Sequence, residues 1–142
     1  MRARVIFESR SGHTGTAADA VVAALQAKGV DASAARLSAA GATDLTGVDL
    51  LVFGTWVEGF VIAGVGPAKA ARQWLERLPS MSGTRAAVFC TYGVSPRGTL
   101  ATLRTALEAK GAVVVGEASF SRRKPTTGAE AFVDAVLGAL AQ

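Results

Sequence analysis

Apolar residues fall along this chain in short continuous runs separated by longer amphipathic stretches, and each period predicts an element. Arg4-Val5-Ile6-Phe7-Glu8 reads as a first strand. Ala18, Val21, Val22 and Leu25 then recur at helical spacing and define one apolar face. Lys28-Gly29 predicts the stop of that helix, with glycine at the left-handed position. Val30 to Leu37 is a weak second strand whose Val30/Ala32/Ala34 alternation is diluted by alanine. Ser38 to Gly47 suits a short helix or an irregular connection equally. Asp49 to Gly54 is a continuous apolar run, the mark of a central strand buried on both faces. Pro67 predicts a helix start, with Ala71, Trp74, Leu75 and Leu78 as its stripe. Arg85 to Cys90 is another buried strand, and Leu100, Leu103 and Leu107 mark the next helix, ended by Lys110-Gly111. Val113 to Val115 is a fifth strand, followed by a last helix on Val133, Val136, Leu137 and Leu140.

Five strands alternating with helices predict an α/β fold: a three-layer, doubly wound, five-stranded parallel sheet in the order 2-1-3-4-5. In such sheets ligands sit beyond the carboxyl ends of the strands, where the strand order reverses. Three loops would converge there: Ser9 to Thr14, Thr55 to Gly66, and Thr91 to Gly98.

Composition narrows the classes. The 142 residues suit one domain, 1–142, and half of them are hydrophobic, yet no run reaches the ~18–20 apolar residues of a membrane span. No signal-peptide layout precedes the first strand. The single cysteine, Cys90, rules out an internal disulfide and fits a reducing cytoplasm. Net charge is +4 and the isoelectric point about 9.8. Arg122-Arg123-Lys124 is the one true basic run, and two Trp, one Tyr and six Phe are too scattered for a nucleic-acid platform. With His13 the only histidine, no metal pair can form from histidines.

The first loop carries the most specific chemistry. Ser9-Arg10-Ser11-Gly12-His13-Thr14 sets hydroxyls and a glycine between a strand and a helix N-terminus. Backbone N–H groups, O–H donors and the helix dipole then point to one place, which makes an anion site. The second loop contains Trp56 and the third Tyr92, the only tyrosine. Plainer roles compete at each position. Ser9 and Thr14 also suit helix caps. Trp56 and Tyr92 also suit core or interface positions, Trp74 a helical stripe, and Cys90 a packed strand end. His13 reads as a spectator, and the basic run as a solvated turn or part of a docking patch.

On these residues the chain resembles the short-chain flavodoxins from end to end. Ser9, Ser11, Gly12 and Thr14 match the family's phosphate-loop pattern Ser/Thr-x-Ser/Thr-Gly-x-Thr. Thr55-Trp56 falls where the family places one aromatic against its flavin, and Thr91-Tyr92-Gly93 where a second covers the other face. The resemblance implies non-covalent FMN. Its cofactor-binding segments would be Ser9, Arg10, Ser11, Gly12, His13 and Thr14; Thr55, Trp56, Val57, Glu58 and Gly59; Thr91, Tyr92 and Gly93; and Arg97. It implies no catalytic side chain and no metal, because such a protein sets flavin potentials by electrostatics. Glu58-Gly59 is the candidate for the peptide that bonds the reduced flavin, although its spacing after Trp56 is not the commonest.

Charge is the main departure from that pattern. The family is acidic and docks basic reductases, whereas this chain is basic, with Glu58 set against Arg97 and Arg10 beside the phosphate loop. Less repulsion of an anionic reduced flavin predicts a less reducing cofactor. The same sign predicts acidic redox partner proteins, or none selected by charge. Three classes stay open: an electron carrier, an FMN-dependent reductase of a quinone or other small acceptor, and a flavin-less interaction module. The apolar 57–66 loop leaves a ligand lid and a dimer contact both open. A phosphoacceptor receiver is excluded, because Glu8 stands alone and Thr55 occupies the position of the required aspartate.

Overall fold

The computed structural model describes residues 1–9, 12–39, 45–60, 63–96 and 98–142, with the backbone alone described at 58–60 and 63–67. Strands β1 (Arg2–Phe7), β2 (Asp31–Arg36), β3 (Leu50–Phe60), β5 (Arg85–Tyr92) and β6 (Val113–Ser121) form the parallel sheet. Its spatial order is β2-β1-β3-β5-β6. The sixth and, among the described residues, shortest strand, β4 (Ala63–Pro67), pairs antiparallel with β3 alone. Counting only the parallel strands, the order is the expected 2-1-3-4-5.

Helices cover both faces, so each central strand must be apolar on both sides. In β1, Val5 and Phe7 enter the cluster that includes Ala18, Val21 and Leu25 of α1 (His13–Ala27) and Phe132, Val133 and Val136 of α4 (Ala129–Leu140). Ile6 between them enters the opposite cluster, with Ala71 and Leu75 of α2 (Lys69–Glu76) and Leu103 and Leu107 of α3 (Thr99–Ala109). Trp74 stacks on Phe53 at 5.3 Å, as a core-edge residue of α2. Phe89, Phe120 and Phe132 form an aromatic trio on the other face, with centroids 5.8–6.4 Å apart.

Both glycine stops are realised in the same way. Gly29 and Gly111 have φ of +82° and +93°. The next amide in each case, Val30 or Ala112, reaches back to Leu25 or Leu107. This is a Schellman closure, which glycine adopts without a Cβ penalty.

Three expectations change. The sequence predicts a loop over 55–66, but β3 runs on to Phe60 and folds back as β4. Pro67 therefore ends a strand and does not open a helix; Ala68 is the N-cap of α2. Proline is tolerated there because β4 is an edge strand. β6 extends well past Val115 to Ser121. As the sheet's outer strand it is half-exposed, so its Gly-Glu-Ala-Ser segment carries no continuous apolar signal. At the start of the expected 38–47 connection the chain makes a short 3-10 turn, Leu37–Ala39; residues 40–44 lie outside the described residues.

Candidate functional site

The carboxyl ends of β1, β3 and β5 lie side by side in the sheet. Phe7 pairs with Gly54, and Trp56 pairs with Thr91. The segment after each strand is thereby brought to one edge of the molecule.

The first segment is organised by Ser9. Its buried Oγ accepts N–H bonds from Gly12 at 3.1 Å and Gly15 at 3.3 Å. A serine that accepts twice still keeps its own proton to donate. Gly12 has φ +90° and forms the N-cap of α1 with no side-chain cap bond. An ideal Cβ there would meet nothing within 4 Å, so the cap is open. No acidic side chain occupies the first turn of α1. A helix start with glycine at its N-cap and no carboxylate in its first turn keeps its positive dipole end for an anion. His13 is half-buried at the first helical position. Arg10 and Ser11 lie outside the described residues.

Thr14, the next residue, is buried and does not face outward. Its Oγ1 lies 2.7 Å from Oγ1 of Thr91, itself 1 % exposed at the end of β5. One hydroxyl of such a pair supplies the shared proton and the other retains its own. The sequence pointed to Thr14 as a phosphate donor; the fold also makes it the tie between the first and third segments.

In the second segment, Thr55 is fully buried. Its hydroxyl donates to the Trp56 carbonyl at 3.0 Å and accepts from the Ala68 N–H at 3.3 Å. It closes the base of the hairpin where β4 leads into α2. Trp56 is half-buried and packs on the α2/α3-side cluster, while Val57 pairs with Pro67. Glu58 pairs with Gly66, and Gly59 falls at the register shift between Glu58 and Phe60. Glycine suits the backbone irregularity of a bulge. The Glu58-Gly59 peptide thus belongs to a paired arm and not to a free loop. The side chain of Glu58, like Val61, Ile62 and Arg97, lies outside the described residues.

In the third segment Tyr92 is half-buried, Gly93 is exposed, and Val94 projects with 84 % of its surface free. Cys90, two residues before Tyr92, is wholly buried. Burial pushes its thiol from 9.0 up to about 12, with Glu117 adding to the rise, which removes it as a nucleophile.

Two residues outside the expected set reach this edge. Arg36, at the end of β2, donates to the Ser9 carbonyl at 3.3 Å and lies 5.6 Å from the Phe7 ring centroid. Arg122 follows β6 and donates its backbone N–H to the Tyr92 carbonyl at 2.9 Å. Sequence spacing gives no signal for either, because both depend on the strand order. A cleft of about 680 Å³, lined in part by Met1, Asp49, Thr84 and Arg85, opens at the opposite, amino-terminal edge of the strands. Ligands of doubly wound sheets bind at the carboxyl edge, so the candidate site is the other one.

Comparison with solved structures adds a fold-level result. Two-electron reduced flavodoxin from Megasphaera elsdenii superposes with a TM-score of 0.81 at 19% identity, over 95% of this chain and 98% of that one. The fold is flavodoxin-like. A flavodoxin mutant from Pseudomonas aeruginosa matches over 100% of both chains, with TM-score 0.79 and 17% identity. A flavodoxin from the domain Archaea gives 0.77 at 16%, over 96% of this chain and 99% of that one. No protein-family model matches the chain, and no curated protein matches it in sequence. The flavodoxin-like fold is thus carried here by a sequence far from those of its structural neighbours. Among the described residues, no helix is long and apolar enough to cross a membrane, and no group of three or more His, Cys, Asp or Glu could hold a metal ion.

Proposed function

We propose that this protein binds FMN at the carboxyl ends of β1, β3 and β5 and transfers electrons through it, as a single-domain carrier between redox proteins in the cytoplasm. The observation that carries this reading is the Thr14–Thr91 bond. It joins an acid-free helix start, with glycine at its N-cap, to the tyrosine-bearing segment, within a flavodoxin-like fold.

The donor set suits a phosphate. Ser9 keeps a proton to give, the α1 N-terminus supplies amides, and open Gly12 permits close backbone approach. Trp56 and Tyr92, both half-buried, are the side chains to wall a flat ring and keep water from it. FMN, when bound, supplies reversible one- or two-electron chemistry, and the chain supplies position and field. The residues outside the description that belong to this reading are Arg10, Ser11 and Arg97, with the Glu58 side chain. The basic charge balance favours acidic partners.

The test is an absorbance spectrum of the purified full chain, taken before and after adding FMN and desalting. Retained oxidised-flavin bands are expected. A colourless protein that releases all added FMN overturns the reading. Steady-state NAD(P)H oxidation by the holoprotein then separates carrier from reductase: a carrier turns over slowly without a partner, whereas a reductase does not need one.

A further inference from the structure

The Arg122 side chain lies over Gly93, at the rim of the candidate site. Its guanidinium occupies the space a side chain at residue 93 would need. A Cβ built on Gly93 would lie 2.4 Å from one terminal nitrogen, 2.8 Å from Cζ and 3.0 Å from Nε. Only glycine permits this approach.

The base of the arginine is fixed. The Arg122 amide is bonded to the Tyr92 carbonyl, Arg123 N donates to Ser121 Oγ at 3.3 Å, and Lys124 N donates to the Ser121 carbonyl at 3.0 Å. The turn is therefore closed on itself and tied to the end of β5. Among the described residues no carboxylate pairs with Arg122, so its charge is not neutralised within the turn.

We infer that Arg122, lying over Gly93, sets the redox preference of the flavin site by placing a cation beside the third segment. This rests on the FMN reading above. Reduction of a flavin at neutral pH builds negative charge on its ring. A cation held at the rim therefore stabilises the reduced cofactor more than the oxidised one. Because the side chain is exposed, water and salt screen it, and the effect is moderate and falls with ionic strength. Arg123 and Lys124 are also exposed, but the atoms nearest a Cβ at Gly93 are all from Arg122. Placement, and not the sum of basic charge, is what the inference predicts.

The experiment compares full-length wild type, Arg122→Gln, Arg122→Lys, Arg123→Gln and Gly93→Ala, each loaded with FMN. Samples are equilibrated with dithionite against a reference dye at low and high salt, and oxidised FMN affinity is measured in parallel by fluorescence quenching. Arg122→Gln should lower the reduced-over-oxidised preference about three- to tenfold at low salt, where tenfold equals about 59 mV for a one-electron couple. Its affinity for oxidised FMN should change less than twofold by the same argument, since the oxidised ring is neutral. Arg122→Lys should retain most of the preference. Gly93→Ala keeps the charge but displaces it, and should reproduce part of the loss. Arg123→Gln should shift the preference less than half as much as Arg122→Gln.

Equal shifts in Arg122→Gln and Arg123→Gln would assign the effect to diffuse net charge and overturn the inference. So would an unchanged preference in Arg122→Gln. Failure of the wild type to hold FMN is a different result: it removes the FMN reading, and the inference with it, before any variant is compared.

Discussion

The hydroxyls of Thr14 and Thr91 meet at 2.7 Å in the protein interior, although 77 residues separate them in sequence. One belongs to the first turn of α1 and the other to the end of β5. Both are almost completely buried. The bond fixes the spacing between the helix start that offers donors and the segment that carries Tyr92.

A double-mutant cycle tests that role. Thr14→Val or Thr91→Val alone leaves the other hydroxyl buried without its partner and should cost about 1–3 kcal/mol. Replacing both removes the orphan, so the double variant should be less destabilised than the sum, by about 0.5–3 kcal/mol of coupling. Urea unfolding of the four proteins reads this directly. Strict additivity would mean that the two hydroxyls do not act as a pair.

Ser9→Ala removes the acceptor for the Gly12 and Gly15 amides. Loss of this capping interaction should destabilise the protein by about 0.5–2 kcal/mol. On the FMN reading it also removes one donor to the phosphate, and affinity should fall roughly tenfold or more, as for a charge-assisted hydrogen bond. Riboflavin has no phosphate, so its affinity should be nearly unchanged. Parallel losses for both ligands in fluorescence titrations would show that Ser9 acts only on folding.

Gly54 is required by Phe89. A Cβ on Gly54 would lie 2.1 Å from the Phe89 ring, inside the aromatic trio with Phe120 and Phe132. Gly54→Ala should therefore cost about 1–3 kcal/mol by overpacking. Adding Phe89→Leu should recover part of that loss, although Phe89→Leu is destabilising alone. A shift in denaturation midpoint that is the same with and without Phe89→Leu would remove this explanation.

Cys90 makes stability depend on pH at the alkaline end. Its folded thiol is raised from 9.0 to about 12 by burial, with Glu117 contributing. Below the lower value both states hold the proton and the group contributes no slope. Between the two values the unfolded thiol has lost its proton while the folded one keeps it. The folded state then binds more protons, so stability falls as pH rises, by up to about 1.4 kcal/mol per pH unit. Relative to wild type, Cys90→Ala should show a shallower decline in Tm across that window. Identical slopes in the two proteins would refute the assignment.

The sequence by itself determined the doubly wound architecture, both Lys-Gly helix stops and the segments that meet at the carboxyl edge. These are local or periodic signals. A strand such as Asp49 to Gly54 reads as continuously apolar because both of its faces are covered, and Gly29 and Gly111 are local backbone requirements. Ser9 and Gly12 were legible for the same reason, since their partners lie within six residues. The tertiary structure alone decided the rest. The β3–β4 arm depends on pairing beyond the central sheet, and β6 is too exposed along its length to mark its own extent. Thr14 meets Thr91, Arg36 meets Ser9, and Arg122 meets Gly93 only because strand order sets distant segments side by side. Hydrophobic period fixes which face of an element is buried, but the chemistry at the ends of the strands depends on which strand becomes the neighbour of which.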